Sequence, residues 1–395
     1  MKDDPIVIVS AARTPMGAFM GDLQALAAPE LGAIVIRAAV ERAGVKPEDV
    51  QEVIMGNVLP AGQGQAPARQ AALGAGLPAA VGCMTINKVC GSGMKAAMLA
   101  HDMLALGVNN VMVAGGMESM SNAPYLLPKA RAGLRLGHGE VKDHMFLDGL
   151  EDAYDRGRLM GTFAEDCADK YRFSREAQDR YAITSLKRAQ DAIKSGGFEK
   201  EVVPVKIAGG KTEAVVKIDE QPLKANLDKI PQLKPAFRKD GTVTPANSSS
   251  ISDGAAAMVL MRRSEAEKRG LAPLAKIIAY STHSQEPQWF TTAPVGAIRK
   301  LFESTGWDAK ATDLFEINEA FAVVAMAAMH DLGLPHDKVN VHGGACALGH
   351  PLGASGARIM VTLLAALEKY QLKRGIAALC IGGGEATAIA LERVT

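Results

Sequence analysis

Two cysteines and one histidine, each on a loop of small residues beside an apolar run, are the residues of this chain best suited to chemistry. Cys90 lies in the segment Asn-Lys-Val-Cys-Gly-Ser-Gly, His350 in Gly-His-Pro-Leu-Gly, and Cys380 in Cys-Ile-Gly-Gly-Gly. A thiolate that attacks a thioester, a base that generates it and a second thiol that moves a carbon-bound proton are what a carbon–carbon bond-forming acyl transferase needs. The combination therefore predicts acyl transfer between thioesters.

Cys90 precedes a run that we expect to be helical, and its neighbours are small. The N-terminus of a helix stabilises a thiolate through the helix dipole and free N–H groups. Neighbouring glycines let a substrate carbonyl approach and leave backbone N–H groups free for an oxyanion. Taken alone, the segment fits a buried structural cysteine at a tight turn equally well, so the assignment depends on a base.

His350 is the candidate base. Pro351 fixes the backbone on one side of it, and Gly349 permits close packing on the other. A histidine within reach of a cysteine can take its proton and then donate a hydrogen bond to a thioester oxygen. The alternatives are that His350 is a structural residue, or that His342, in the same loop, is the base instead.

Two further polar positions follow predicted strands. Cys380 ends an apolar run and leads into glycines that begin at Gly382. Ligands bind at the carboxyl ends of strands in α/β sheets, although a small buried thiol before a turn is the alternative. Asn318 follows residues 313–317, where it could hold a catalytic water or cap the next helix. A dinucleotide-binding loop is only weakly indicated, because no Gly-x-Gly-x-x-Gly opens a helix after the first strand.

The composition limits the class of function. A chain of 395 residues suggests two domains with an insertion, and 44 Lys and Arg against 43 Asp and Glu argue against a nucleic-acid partner. With no signal peptide, and with apolar runs about half as long as a bilayer requires, we expect a cytoplasmic protein with no membrane contact. Five scattered cysteines without a Cys-x-x-Cys pair predict free thiols and neither a disulfide framework nor a zinc site.

Short β-branched runs alternate with longer Ala-rich periodic segments, which is typical of helices packed on a mostly parallel sheet. The strands predicted from the pattern are 6–9, 52–55, 110–113, 255–261, 275–281, 313–317 and 377–381. The predicted helices are 27–43, 93–106, 175–195, 295–305, 319–332 and 353–370.

A weak internal repeat indicates duplicated α/β halves. Residues 49–57 match 312–318 at an offset of about 261 residues, and 111–119 match 379–386 at about 267. The composition changes between the two halves, which indicates an inserted region rather than a linker. We therefore predict an N-terminal half formed by 1–121 and 250–272, an inserted loop domain at 122–249 and a C-terminal half at 273–395.

Taken together, these segments resemble the thiolase family along essentially the whole chain. The matching motifs keep the family's order and lie at 9–15, 55–58, the Cys90 loop, 115–119, 253–256, the Asn318 segment and the two C-terminal loops. The resemblance implies an α/β thiolase-like fold of two duplicated α/β/α halves with mixed five-stranded sheets and an inserted loop domain.

The resemblance also implies roles for the site residues. Cys90 takes the acyl group from acyl-CoA, and His350 deprotonates Cys90. His350 and a water held by Asn318 form one oxyanion hole, and the backbone N–H groups of Cys90 and Gly382 form the other. Cys380 shuttles the α-proton of the second substrate. The family needs no metal and no cofactor besides its coenzyme A thioester substrates.

The resemblance also implies coenzyme A contacts and an assembly. Ser249 lies where the family places a serine on the pantetheine, Phe237 and Phe321 match apolar contacts, and Lys224 lies near the expected adenine position. The loop 128–140 resembles a tetramerisation loop, which leads us to expect a homotetramer built as a dimer of dimers. Acyl-CoA and CoA are the expected partners.

The sequence departs from the family at five places around the site. Leu159 replaces a histidine near the thioester, the segment 290–294 replaces a Met-Gly-x-Gly-Pro motif of the acyl pocket, and Leu223 with Lys224 replaces an arginine. Ser252 and His342 occupy the other two positions, where asparagine is common in the family. These departures concern acyl-chain preference and CoA contacts, and none is in the catalytic set.

The expected activity is the reversible condensation of two acetyl-CoA to acetoacetyl-CoA and CoA through an acetyl-Cys90 intermediate. Leu159 and Phe290 motivate an alternative, a degradative 3-ketoacyl-CoA thiolase that accepts longer chains. A ketoacyl synthase acting on a carrier protein leaves Cys380 without a role. A catalytically silent scaffold and an NAD-dependent dehydrogenase are the remaining alternatives.

Overall fold

The computed structural model describes residues 4–208 and 214–394. Three parts of the chain lie outside the described residues: residues 1–3 at the N-terminus, where no signal peptide is predicted, residues 209–213 of the predicted inserted domain, and residue 395. The strands are β1 Ile6–Arg13, β2 Gly17–Ala18, β3 Glu52–Gly56, β4 Gly82–Ile86, β5 Val111–Ser119, β6 Tyr125–Leu126, β7 Lys142–Asp143, β8 Val205–Ile207, β9 Ala214–Val216, β10 Ser252–Arg262, β11 Ala275–Ser284, β12 Leu314–Ile317, β13 Arg374–Ile381 and β14 Glu385–Arg393.

The helices include every one predicted from the sequence, with ends that differ by up to three residues. They are α1 Ala28–Ala43, α2 Pro67–Gly74, α3 Ser92–Ala105, α4 Met160–Tyr171, α5 Arg175–Lys194, α6 Glu220–Lys224, α7 Arg263–Lys268, α8 Ala293–Thr305, α9 Ala322–Leu332, α10 Ala345–Leu348 and α11 Leu352–Lys369. Short 3₁₀ helices of three to six residues and one π-helical turn at Phe146–Leu150 connect them. No helix in the described part of the chain is long and apolar enough to cross a membrane.

The main sheet contains the same strand arrangement twice. The first half reads β4-β3-β5-β10-β1 and the second reads β11-β14-β13-β12, so each half pairs parallel strands at one end with antiparallel strands at the other. The halves meet where β1 pairs with β11 over two residues, Val7 with Lys276 and Ile8 with Ala275. Both β1 and β11 carry a bulge near this junction. The predicted duplication and α/β fold class are therefore confirmed.

The strand register corrects one of the two sequence matches behind the repeat. Val53 pairs with Val113, and Leu314, its equivalent at the 261-residue offset, pairs with Gly375. The offset between β5 and β13 is therefore 262 residues, whereas the sequence match at about 267 was wrong. That match aligned Gly115 and Gly116, which lie inside β5, with Gly382 and Gly383, which follow the end of β13.

The second half has four strands and a remnant of the fifth, although five were predicted in each half. At the position equivalent to β4, only Val339 forms a bridge, to Phe315. The next residue, Asn340, has a φ of 50° and turns the chain away. Its side-chain amide then bonds the backbone of β12, accepting from the Ile317 N–H and donating to the Ile317 carbonyl, each at 2.8 Å. A side chain thus replaces a strand's hydrogen bonds.

Helices α3 and α11 form a central layer between the two halves. One apolar cluster joins Met94 of α3 and Met360 of α11 to Ile54 of the first half and Leu379 of the second. The helices touch closely, because a Cβ on Gly356 would lie 2.4 Å from the Met94 backbone nitrogen. Helices α1 and α2 cover the outer face of the first half, and α8 and α9 cover that of the second.

The segment between β5 and β10 forms the inserted part of the chain. It holds two small antiparallel hairpins, β6 with β7 and β8 with β9, and helices α4 to α6. The loop 128–140 is exposed throughout, and Leu136 is 98% exposed. The domain boundaries given above stay predictions.

The sequence pattern missed β4 and β14 among the longer strands. The β4 sequence Gly-Cys-Met-Thr-Ile is short and lies at the sheet edge, and the alanine-rich β14 has little β propensity. β14 forms because its neighbours β11 and β13 supply the pairing and its interior residues are buried.

Candidate active site

Cys90 lies on a strained turn directly before α3. Val89, a β-branched residue, has a φ of 45°, which only glycine adopts at little cost. Ser92 stabilises the turn, since its hydroxyl accepts from the Lys88 N–H at 2.8 Å and donates to the Val89 carbonyl at 2.6 Å. The turn places the Cys90 thiol at the helix N-terminus, as the sequence predicted.

Two backbone N–H groups face the Cys90 sulfur. One is its own, and the other is that of Gly382, after β13 in the second half. Both lower the pKa of the thiol, but burial dominates and raises it to about 11. Cys90 is therefore a neutral thiol at pH 7, and the two N–H groups remain available as a preorganised pair of donors.

His350 is buried directly before α11 and is held by one short hydrogen bond. Its Nδ1 lies 2.5 Å from Ser355 Oγ, which donates its own proton to the Pro351 carbonyl at 2.9 Å. Ser355 must therefore accept from Nδ1–H, which makes Nε2 the acceptor atom of the ring. Burial, assisted by the charge of Arg358, lowers the pKa of His350 to about 3, so the ring is a neutral base at pH 7.

Asn318 lies beside His350, with its Nδ2 3.5 Å from each ring nitrogen. Its Oδ1 accepts from Arg358 Nη2 at 3.4 Å. The alternative role as a helix cap is wrong, because α9 begins at Ala322 and its N-cap position is Phe321.

Cys380 is fully buried near the end of β13, as the sequence predicted. Burial raises the pKa of its thiol well above the ordinary value, and the nearby Cys90 raises it further. After Gly382 the chain continues through Gly383 and Gly384 with φ values of 92° and 88°, and a Cβ on Gly384 would lie 2.2 Å from the Gln285 carbonyl oxygen. The glycine run therefore lets the chain turn sharply beside two thiols.

A cavity of about 340 Å³ opens onto this site. Cys90, His350 and Gly382 line it, together with three predicted substrate contacts, Ser249, Phe237 and Phe321. The fold therefore brings together predicted site residues that are up to 292 positions apart in the sequence, from Cys90 to Gly382.

Aromatic side chains form one wall of the cavity. Phe321 contacts Phe237 edge-on with ring centroids 6.0 Å apart, and it lies 6.5 Å from Phe290. Phe163 supports Phe290 from behind at 6.2 Å. Leu159 also lines the cavity, so two of the departures from the family pattern, Leu159 and Phe290, face this cavity.

Lys224 lies outside this cavity. It lines an adjoining cavity of about 310 Å³ that shares Pro245 and Ser250 with the first, and its ammonium pairs with Glu220. Leu223 is 59% exposed. The predicted adenine contact of Lys224 stays a prediction.

His342, the rival base, belongs to another environment. Its ring packs edge-on against Phe198 at 5.6 Å and at a tilt against Tyr370 at 5.5 Å, and neither nitrogen has a hydrogen-bond partner in the described chain. Burial lowers its pKa to about 4. His350, which lines the cavity with Cys90, is the better candidate.

Sequence reasoning missed two buried charged groups beside the site. Glu118 accepts from Asn57 Nδ2 at 2.7 Å and from the backbone N–H groups of Val58, Leu59 and Gly353 at 2.8–3.1 Å. Burial raises its pKa to about 7 against these bonds, which lower it. The other group is Arg358 of α11. A charged residue within an otherwise apolar element was the signal that could have identified both.

Among residues 4–208 and 214–394, no group of three or more His, Cys, Asp or Glu side chains is arranged to hold a metal ion. All five cysteines are free thiols.

Comparison with known proteins agrees with this geometry. The family description for the thiolase N-terminal domain matches residues 6–264, and that for the C-terminal domain matches 271–393. The chain is 52% identical to an acetyl-CoA acetyltransferase of Cupriavidus necator, covering 98% of this chain and 99% of the relative. It is 50% identical to a cytosolic acetyl-CoA acetyltransferase of Mus musculus, covering 99% and 98%. A solved thiolase from Ascaris suum in complex with coenzyme A superposes with a TM-score of 0.93 at 43% identity, covering 99% of this chain and 100% of that one.

Proposed function

Because the chain belongs to the thiolase family, we propose that it is an acetyl-CoA C-acetyltransferase that reversibly converts two acetyl-CoA into acetoacetyl-CoA and CoA. The observation that carries the proposal is one cavity lined by Cys90, His350 and Gly382, with Cys380 close to Cys90. These groups come from both halves of the chain and supply a nucleophile, a base, an oxyanion donor and a second thiol.

The first half-reaction transfers an acetyl group to Cys90. Neutral His350 accepts the thiol proton as Cys90 Sγ attacks the acetyl-CoA carbonyl, because a thiol with a pKa of about 11 needs a base at pH 7. The N–H groups of Cys90 and Gly382 stabilise the tetrahedral oxyanion. The bond to the CoA sulfur then breaks, and the departing thiolate takes the proton of Cys380 to leave as CoA.

The second half-reaction forms the carbon–carbon bond. The Cys380 thiolate removes a proton from the methyl group of a second acetyl-CoA, and the imidazolium of His350 and a water held by Asn318 stabilise the enolate oxygen. The enolate carbon attacks acetyl-Cys90. The Cys90 sulfur leaves and recovers the proton from His350, so both thiols and the histidine return to their starting forms. Every proton moves between side chains and substrates, so no metal or further cofactor is required.

The test of this activity is product analysis with purified protein and acetyl-CoA or acetoacetyl-CoA plus CoA. We expect acetoacetyl-CoA from the first mixture and acetyl-CoA from the second, since one set of groups serves both directions. Failure of a folded protein to convert either substrate would reject the proposal.

Coenzyme A binding is proposed on the walls of the same cavity. Ser249 contacts the pantetheine, Phe237 and Phe321 enclose its apolar part, and Lys224 in the adjoining cavity approaches the adenine end. A similar thiolase solved in complex with coenzyme A supports the choice of ligand.

A second candidate is a degradative 3-ketoacyl-CoA thiolase with longer substrates, because Leu159 and Phe290 line the cavity. The aromatic wall favours short acyl groups, since Phe163 backs Phe290 and leaves it little room to move. Steady-state rates with acetoacetyl-CoA and 3-ketooctanoyl-CoA decide between them. A higher kcat/KM for the longer substrate would favour the second candidate.

We also propose a cytosolic homotetramer, a dimer of dimers. The loop 128–140 is exposed with two apolar residues, Leu134 and Leu136, at its surface, and a relative named as cytosolic supports the location. Light scattering of the purified protein measures the assembly. Deletion of the loop should convert the tetramer into dimers without loss of the cavity.

A further inference from the structure

Arg358 is a buried charge beside the active site that the mechanism above does not use. It lies in α11, it is fully buried, and its Nη1 donates to Glu316 Oε1 at 2.9 Å. Its Nη2 donates to Asn318 Oδ1 at 3.4 Å. One guanidinium therefore joins a carboxylate and the amide that faces His350.

The chemistry of the guanidinium determines which way the Asn318 amide points. A guanidinium has five N–H donors and no acceptor, so only the oxygen of the amide can face it. The amide nitrogen then faces His350, as observed at 3.5 Å. Within the described part of the chain, the hydrogen bonds of the Asn318 side chain go to these two residues, so Arg358 decides which group of the amide reaches the site.

Glu316 holds Arg358 in this place. It lies on β12 two residues before Asn318, which directly follows the strand, and the side chains of both residues contact Arg358. The ion pair is buried on both sides, with 0% and 3% side-chain exposure. A fork of this kind bonds two partners at once, which a lysine ammonium of shorter reach cannot reproduce.

The duplicated half supplies an internal comparison. At the 261-residue offset of the strands, Glu316 is equivalent to Met55 of β3. Helices α3 and α11 begin two residues after Cys90 and His350, so Arg358 is equivalent to Met98 of α3. Both methionines are fully buried. The charge pair thus exists only in the half whose asparagine faces the histidine.

We propose that Arg358 is a positioning residue for the reaction: anchored by Glu316, it fixes the orientation of the Asn318 side-chain amide towards His350. The inference rests on the proposed function, in which Asn318 holds the water that stabilises the enolate. Loss of Arg358 lets the amide rotate, and the carbonyl oxygen then faces the developing negative charge.

A double-mutant cycle on purified full-length protein tests the proposal. Arg358→Lys keeps a cation near Glu316, and we expect kcat for acetoacetyl-CoA synthesis to fall roughly tenfold, the effect of one charged hydrogen bond, with KM nearly unchanged. In an Asn318→Ala background the same substitution should lower kcat less than about twofold, since its target is gone. Equal effects in both backgrounds would overturn the proposal.

Arg13→Lys is the matched control, because Arg13 is equally buried and pairs with Glu201 and Asp219 without contacting Asn318. It should lower thermal stability as Arg358→Lys does but leave kcat near the wild-type value. An equal loss of kcat in the control would assign the effect to general destabilisation and contradict a positioning role.

Glu316→Gln provides a second route if Arg358→Lys does not fold. It should lower kcat in the wild-type background and not in Asn318→Ala, and the opposite pattern contradicts the proposal. Two results would instead reject the proposed function on which the inference rests: a wild-type protein without acetyl transfer, or an Asn318→Ala protein with unchanged kcat.

Discussion

The two halves of the molecule have the same framework and different chemistry at equivalent positions. Cys90 and His350 each lie two residues before a central helix, α3 or α11. The register of the strands makes Asn57 equivalent to Asn318, and the 262-residue offset makes Glu118 equivalent to Cys380. Three positions thus differ in function although the backbone around them is duplicated.

The comparison teaches how one duplicated fold divides labour. In the first half Asn57 donates a hydrogen bond to Glu118, which also accepts hydrogen bonds from the backbone N–H groups of Val58, Leu59 and Gly353. This pair therefore holds the backbone in place at those residues. In the second half the equivalent Cys380 remains a free thiol beside Cys90, and Asn318 faces His350. The first half therefore contributes a nucleophile on a rigid support, and the second contributes the proton-transfer groups.

The largest expected effect comes from exchanging the two thiols for hydroxyls. Cys90→Ser and Cys380→Ser should each lower acetoacetyl-CoA synthesis by roughly 10³-fold or more, because a serine hydroxyl is a poor nucleophile and a poor proton carrier at neutral pH. Exchange of labelled CoA into acetyl-CoA reports acetylation by itself. It should be lost in Cys90→Ser and only slowed in Cys380→Ser, where the departing CoA thiolate takes its proton from water instead, and equal loss in both would contradict the division of labour.

The histidines provide the next contrast. His350→Ala should lower kcat by roughly 10²- to 10⁴-fold, the usual contribution of a general base. His342→Asn is the matched control, because that ring packs between Phe198 and Tyr370 away from the cavity. We expect kcat of the control within a factor of about three of wild type. A large loss of kcat in His342→Asn would indicate that His342 takes part in the reaction and would contradict the assignment of His350 as the base.

The protonation states predict a pH profile for the free enzyme. Since burial raises the pKa of Cys90 to about 11 and lowers that of His350 to about 3, the resting pair is thiol and neutral imidazole. Alkylation of Cys90 by iodoacetamide should therefore rise about tenfold per pH unit from pH 7 to 10, as the thiolate fraction grows. A plateau between pH 6 and 8 would indicate a thiolate–imidazolium pair instead.

The smallest expected effect is on stability. It tests whether Glu118 has a structural role that Cys380, at the equivalent position of the other half, does not have. Glu118→Gln replaces one acceptor oxygen by a donor in a shell of four N–H groups, which should lower the free energy of unfolding by about 2 kcal/mol. Urea denaturation measures it. Cys380→Ser, at the equivalent position of the other half, should cost less, and the reverse order would contradict the assigned roles.

The sequence identified the reacting groups because each has a local signature. Cys90, His350 and Gly382 lie on glycine-containing loops, and Cys380 lies near the end of an apolar strand that leads into one. The structure brings Cys90, His350 and Gly382 to one cavity. Asn318 kept two interpretations in the sequence, because the predicted helix began at residue 319, directly after it. The structure begins this helix at Ala322, which removes the capping role.

The supporting groups could not be predicted, because their function depends on contacts between distant segments. Glu118 bonds residues 60 positions before it and 235 after it, and Arg358 bonds Asn318 across 40 positions. The remnant strand at Val339 was also hidden, since the hydrogen bonds that replace it come from the side chain of Asn340. Only the folded chain shows these connections.

Mass spectrometry of the Cys380→Ser protein after brief exposure to acetyl-CoA tests the central claim most directly. If the first half supplies the nucleophile and the second half the proton carrier, the rapidly quenched protein gains one acetyl group, and peptide mapping places it on Cys90. A folded protein without an adduct, or with the acetyl group on another cysteine, would contradict that account.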